Sequence, residues 1–146
     1  ETAEIIQGVV AETKPDVVVA IDALAARSVR RLNRTIQITD TGIHPGSGVG
    51  NHRNGLTEDN LQVKVIGIGV PTVVDAATIV HDSMAHLLDA LEEAEQKEFL
   101  EEMIAPNLYS MFVTPKDVDE MVHQISHTIA ASLNLLFSDI NAGESE

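Results

Sequence analysis

The chain has 146 residues and a formal net charge of -14, from 9 Lys and Arg against 23 Asp and Glu, and it contains no cysteine. That length suits one domain with a real core, built mainly from Val, Ile, Leu, Ala and Met because aromatic residues supply only 3% of the chain. The lack of thiols excludes disulfides, a cysteine nucleophile and thiolate metal sites and fits a reducing compartment, and the acidity argues against nucleic-acid binding, which needs clustered Lys and Arg to meet phosphates.

The apolar runs fall well short of the ~20 residues that span a bilayer, so no membrane partner is expected. Charge is uneven: residues 27–53 hold Arg27, Arg30, Arg31, Arg34 and Arg53 against only Asp40, whereas residues 89–102 are almost purely acidic. The acidic run reads as a solvated helix face. The chain opens in an amphipathic pattern without Met, as a piece beginning in mid-domain would.

In residues 2–13, Ile6, Val9, Val10 and Thr13 have helical spacing, and Pro15 ends the pattern. Residues 16–22, D-V-V-V-A-I-D, form an unbroken β-branched run of the kind buried on both faces of a parallel sheet. The Ala- and Arg-rich residues 23–32 predict a helix, and 35–39 (T-I-Q-I-T) a second, shorter strand. A polar, Gly-rich loop spans 41–60, followed by a third strand over 63–70. Thr72 with Asp75 resembles a capping box for a helix carrying Val73, Ala77, Val80, Met84, Leu87, Leu88 and Leu91 on one face. Thr114 as N-cap and Pro115 at the first position open a last helix with Val118, Met121, Val122, Ile125, Ile129, Leu133 and Leu136 inward, and a frayed tail from about Ser138. The order predicts an α/β domain: a largely parallel sheet flanked by helices, thin enough at three strands to be the C-terminal part of a larger domain.

Ligands of open α/β sheets bind beyond the carboxyl ends of the strands. Asp22, Asp40 and the Val70-Pro71 step are expected to converge there. Two carboxyls at close range share one proton and can activate water while protonating a leaving group. The competing reading has both Asp residues capping helices or turns. The loop offers Gly42, Gly46, Gly48, Gly50 and Gly55 for close backbone approach, with His44, Ser47, Asn51, His52 and Arg53 as polar groups. It is neither a P-loop nor a dinucleotide fingerprint, and Ser47 is not in a nucleophile-elbow frame. It reads equally as a long loop of no set chemistry. His123 and His127 have metal-ligand spacing but no nearby third ligand, and His81, Asp82 and His86 read as a partly exposed helix face.

K-P-D-V-V-V-A-I-D-A-L-A-A-R (14–27), I-T-D-T-G-I-H-P-G-S-G-V-G-N-H-R (38–53), V-I-G-I-G-V-P-T-V-V-D-A-A-T-I-V (65–80) and F-V-T-P-K-D-V-D (112–119) together closely resemble the germination proteases of endospore-forming bacteria. The resemblance runs over nearly the whole chain. It implies an atypical aspartic endopeptidase, made as a zymogen and assembled as a homotetramer, that degrades small acid-soluble spore proteins in the spore core, a cytoplasmic location. It also implies a fold similar to the hydrogenase-maturation proteases, and no cofactor. The family's catalytic pair is one Asp in the D-A-L-A motif, matching Asp22, and one in a motif nearer the N-terminus that does not occur here. The chain therefore resembles the C-terminal portion of the enzyme, with the N-terminal portion as its partner. Asp40 becomes a neighbour at the active-site mouth, with His44, Asn51 and Arg53.

Two other readings stand beside the peptidase. One is a metal-dependent maturation or binding module with Asp22, Asp40 and His44 as ligands. The other is a non-catalytic fragment that folds only with its N-terminal half.

Overall fold

A computed structural model of the chain describes residues 2–46, 54–89 and 92–143. It divides into two compact units, Glu1–Thr114 and Pro115–Glu146.

The first unit is built on β3 (Lys64–Asp75), which lies between β1 (Val17–Ala26) and β2 (Gln37–Thr39). β1 runs parallel to β3, in register from Val17 opposite Lys64 to Ala26 opposite Val74. β2 is antiparallel to β3, and the two-residue β4 (Phe112–Val113) pairs antiparallel with its far end. The sheet is thus mixed, which corrects the expectation of a largely parallel one. β2 follows β1 through a short return rather than a crossover helix, and a return without a crossover delivers an antiparallel strand.

That return also overturns the helix expected over residues 23–32. β1 continues through Ala26, and only Val29–Arg31 coil, as a single 3-10 turn. The Ala-rich sequence favours helix locally, but residues 23–26 pair with β3 along one side, and tertiary context overrides propensity. β3 likewise runs on through Pro71 and Thr72, where a helix start had been expected. Pro71 has no N–H to give to the ladder. The register slips immediately beyond it, Leu24 pairing with Pro71 and Ala25 with Val73, so Thr72 is the extra residue of a bulge. The carbonyl of Pro71 instead accepts the N–H of Asn33 at 2.7 Å.

One sheet face is covered by α1 (Thr2–Thr13) and α2 (Glu58–Leu61). Ala3, Ala20, Leu56, Leu61 and Val65 form its buried cluster, with Ile6, Val18, Ile43 and Val63 packed against it. Val9, expected on the inward side of α1, is 55% exposed. The buried stripe runs through Ala3 and Ile6. Gln7 ties α1 to the Asn60 carbonyl of α2 at 2.9 Å.

α3 (Ala76–Leu88) begins one residue after β3. Its cap is Asp75, not Thr72: the Asp75 carboxylate accepts the Thr78 N–H and hydroxyl, both at 2.7 Å. α4 (Glu93–Met103) takes up most of the acidic run behind a Glu92–Glu95 capping box. A second 3-10 turn, Pro106–Ser110, leads to β4.

The second unit is α5 (Val118–Gly143), which starts three residues after Pro115 and runs past Ser138. Thr114 and Pro115 precede a turn rather than capping the helix directly. His123 and His127 stack edge-on at 4.5 Å and are exposed, as is Val122.

Candidate active site

Asp22 does not end its strand. It sits in the middle of β1, opposite Gly69, which in turn pairs with Gln37 of β2. Paired residues point to the same side of a sheet, so Asp22, Gly69 and Gln37 form one cross-sheet row on the face that carries Ala20, Gly67 and the α1 core. The Asp22 carboxylate is half-buried, and its Oδ1 accepts the Ala23 N–H at 2.9 Å. Gly69 is required there: a Cβ on it would strike Cδ1 and Cγ of Leu24, which folds across the glycine beside Asp22.

The Gly-rich loop reaches the same face. Its base is latched by a bridge in which Ile43 N donates to Leu56 O at 3.0 Å and Leu56 N to Ile43 O at 2.7 Å. Gly42, at φ +84°, permits this closure, since a Cβ there would collide with the Leu56 carbonyl. The latch seats Ile43 on Gly67, one step along β3 from the Asp22 row. His44 follows, its ring lying over Gly55, where an added Cβ would stand 2.6 Å from Nε2. The structure therefore brings Ile43 to the Asp22 face, while His44 lies over Gly55. Asn51 and Arg53 lie outside the described residues.

Asp40 goes elsewhere. Because β2 is antiparallel, its carboxyl end points to the amino-terminal ends of β1 and β3. Asp40 there lines a cleft of about 260 Å³ with Asp16, Glu58, Lys64 and Ile66. Counting along the strands at about 3.3 Å per residue separates it from Asp22 by roughly 10–20 Å, too far to share a proton. The expected convergence of Asp22 and Asp40 at one mouth is corrected by the direction of β2. Among the described residues, no three His, Asp or Glu side chains gather as a metal site, so the ligand set Asp22, Asp40 and His44 is not assembled. A second cleft, of about 460 Å³ between α1 and α2, is lined by Gln7, Lys14, Asn60 and Gln62 among others and holds none of the candidate residues.

One arrangement escaped the sequence reading. Ser28 donates its hydroxyl to Asp82 Oδ2 at 2.9 Å, and the Val29 N–H donates to the same oxygen at 2.7 Å. His81 Nδ1 stands 3.7 Å from the other Asp82 oxygen. Burial opposes ionisation of Asp82, but the Val29 amide, the Ser28 hydroxyl and His81 outweigh it and hold the carboxyl below its ordinary value. Serine and histidine both address the acid rather than each other, so this is a clamp and not a nucleophile triad. It pins the 3-10 turn, with its exposed Arg30 and Arg31, against α3; Arg27 and Arg34 flank the turn and are exposed too. Only the adjacency of Ser28 to a helical turn hinted at a cap.

With this geometry in view, the comparisons with known proteins are specific. A family model described as germination protease matches residues 1–91 and 86–146. The chain is 46% identical to the germination protease of Caldanaerobacter subterraneus subsp. tengcongensis, over 92% of this chain and 47% of that protein. It is 45% identical to the Clostridium tetani germination protease over 92% and 47%, and 39% identical to that of Bacillus subtilis over 92% and 49%. The chain spans about half the length of the curated relatives it matches. By the reach of the family match across it, this chain belongs to the germination protease family.

Proposed function

We propose that this chain contributes one of two catalytic carboxyls to an endopeptidase that degrades small acid-soluble spore proteins during germination. The observation that carries the reading is Asp22: a half-exposed carboxylate in the middle of β1, held by one backbone N–H and sharing its face with the loop base at Ile43. The second carboxyl comes from the part of the protease not contained here. One acid of such a pair is ionised and the other protonated, because like charges at close range cannot both form. The ionised partner takes a proton from water as the oxygen adds to the scissile carbonyl carbon. The protonated partner gives its proton to the carbonyl oxygen. As the C–N bond breaks, the leaving nitrogen takes up the proton drawn from water, and one hydroxyl of the tetrahedral carbon returns its proton to the second carboxylate, restoring the pair. The homotetramer and the zymogen belong to the same reading.

The test is Asp22→Asn in the full-length protease, assayed on a small acid-soluble spore protein. Loss of proton transfer at this carboxyl removes about 10²–10⁴-fold in rate. The oligomer, read by sizing, stays unchanged. Normal turnover in that variant would sink the proposal.

A further inference from the structure

The sheet has a second face, and the side chains flanking its centre are exposed. Ile21, Ile68 and Ile38 form one cross-sheet row there. The central Ile68 is 6% exposed, but Ile21 is 55% and Ile38 71% exposed. Ile66 in the next row is 37% exposed, and Ile36, just before β2, is 41% exposed. Asp40 and Lys64 stand beside Ile66 at one rim of this face, while the rows through Ile21, Ile38 and Ile36 carry no charged side chain. β1 also lies at the edge of the sheet, its ten residues paired to β3 alone among the described strands.

We infer that this isoleucine face and the free edge of β1 are the seat for the half of the protease that these 146 residues do not contain. The inference rests on the two-part reading above and gives it a surface. Three arguments favour that occupant. Strands in parallel pairs are normally buried on both faces, and β1 with β3 is such a pair. A long, apolar, unpaired edge strand is a template for further pairing and is not left open in a finished fold. The matched relatives hold as much chain again outside the matched region, which is enough to cover it.

A photo-crosslinking residue in place of Ile38, in the purified full-length protease, reports the occupant by mass spectrometry of the adduct. An intrachain adduct to residues outside this segment is the expected result. An adduct to a second copy, an adduct within residues 1–146, or no adduct overturns the inference. Thiol labelling supplies an independent measure: Ile38→Cys is compared with Lys97→Cys on exposed α4, whose side chain is 79% exposed. Labelling at position 38 should be at least tenfold slower, and equal rates overturn the inference. Neither readout depends on turnover. A crosslink to the other half with an active Asp22→Asn variant would leave this surface standing while the peptidase role of Asp22 fails.

Discussion

The side chain of Ile43 is seated on Gly67, with its Cγ2 methyl in the space a Cβ would occupy. This contact fastens the base of the Gly-rich loop to the centre of β3. Gly67→Ala is expected to force Ile43 off the sheet and to cost about 1–3 kcal/mol, the usual penalty of overpacking. Gly8→Ala is the control: nothing lies within 4 Å of an added Cβ there, and alanine gains up to about 1 kcal/mol over glycine within a helix. Denaturant unfolding of the two variants in the full-length protein checks both signs.

The Ser28–Asp82 clamp predicts a pH dependence. The carboxyl of folded Asp82 lies below its ordinary value, so its stabilising contribution is complete above the unfolded pKa. It is lost as pH falls through the folded one. Asp82→Asn should therefore destabilise by about 1–2 kcal/mol at neutral pH, the worth of hydrogen bonds to a charged group. The gap to the parent should close in strongly acidic buffer. Thermal unfolding at several pH values measures it; a gap that is constant with pH would contradict the assignment.

Asn33 combines a left-handed backbone, φ 53°, with a buried side-chain amide whose nitrogen and oxygen have no partner among the described residues. Asn33→Gly keeps the backbone without strain and removes the unpaired amide, so stability should stay within about 1 kcal/mol. Asn33→Ala must hold the left-handed conformation at a cost of about 1–2 kcal/mol. Unfolding midpoints that rank alanine above glycine would refute this account.

Leu61, 5% exposed in the cluster between α2 and the sheet, should lose about 2–5 kcal/mol on truncation to Ala. Met103→Ala, at a side chain 57% exposed, should change stability by no more than about 0.5 kcal/mol.

Much of this structure was legible in the sequence, and the failures share a cause. The β-branched run before Asp22 announced a strand, though not one buried on both faces, since β1 is an edge strand with Ile21 exposed, and the third strand was equally plain. The Ala-rich continuation was misread because its strand state is imposed by pairing with Val70 to Val74, which no local pattern encodes. The direction of β2 was invisible for the same reason: three residues of T-I-Q-I-T character pair equally well either way. Asp40 was consequently placed at the wrong end of the sheet. The Ile43–Leu56 latch and the Ser28–Asp82 clamp join residues far apart in the chain, and β4 is only two residues long. Asp22 itself was singled out from composition and position, yet its role rests on the family resemblance rather than on spacing.

The bulge at Pro71 has a consequence for phase. β1 and β3 are both long and aliphatic, and sliding one along the other by two residues would leave every side chain on its proper face. Hydrophobic alternation alone does not forbid that shift. The bulge at Thr72 marks the observed phase, because beyond it Ala25 and Ala26 meet Val73 and Val74 instead of the next residues in step. It acts as an index mark on the sheet. The distance of Asp22 from the loop latch is set by where that mark falls.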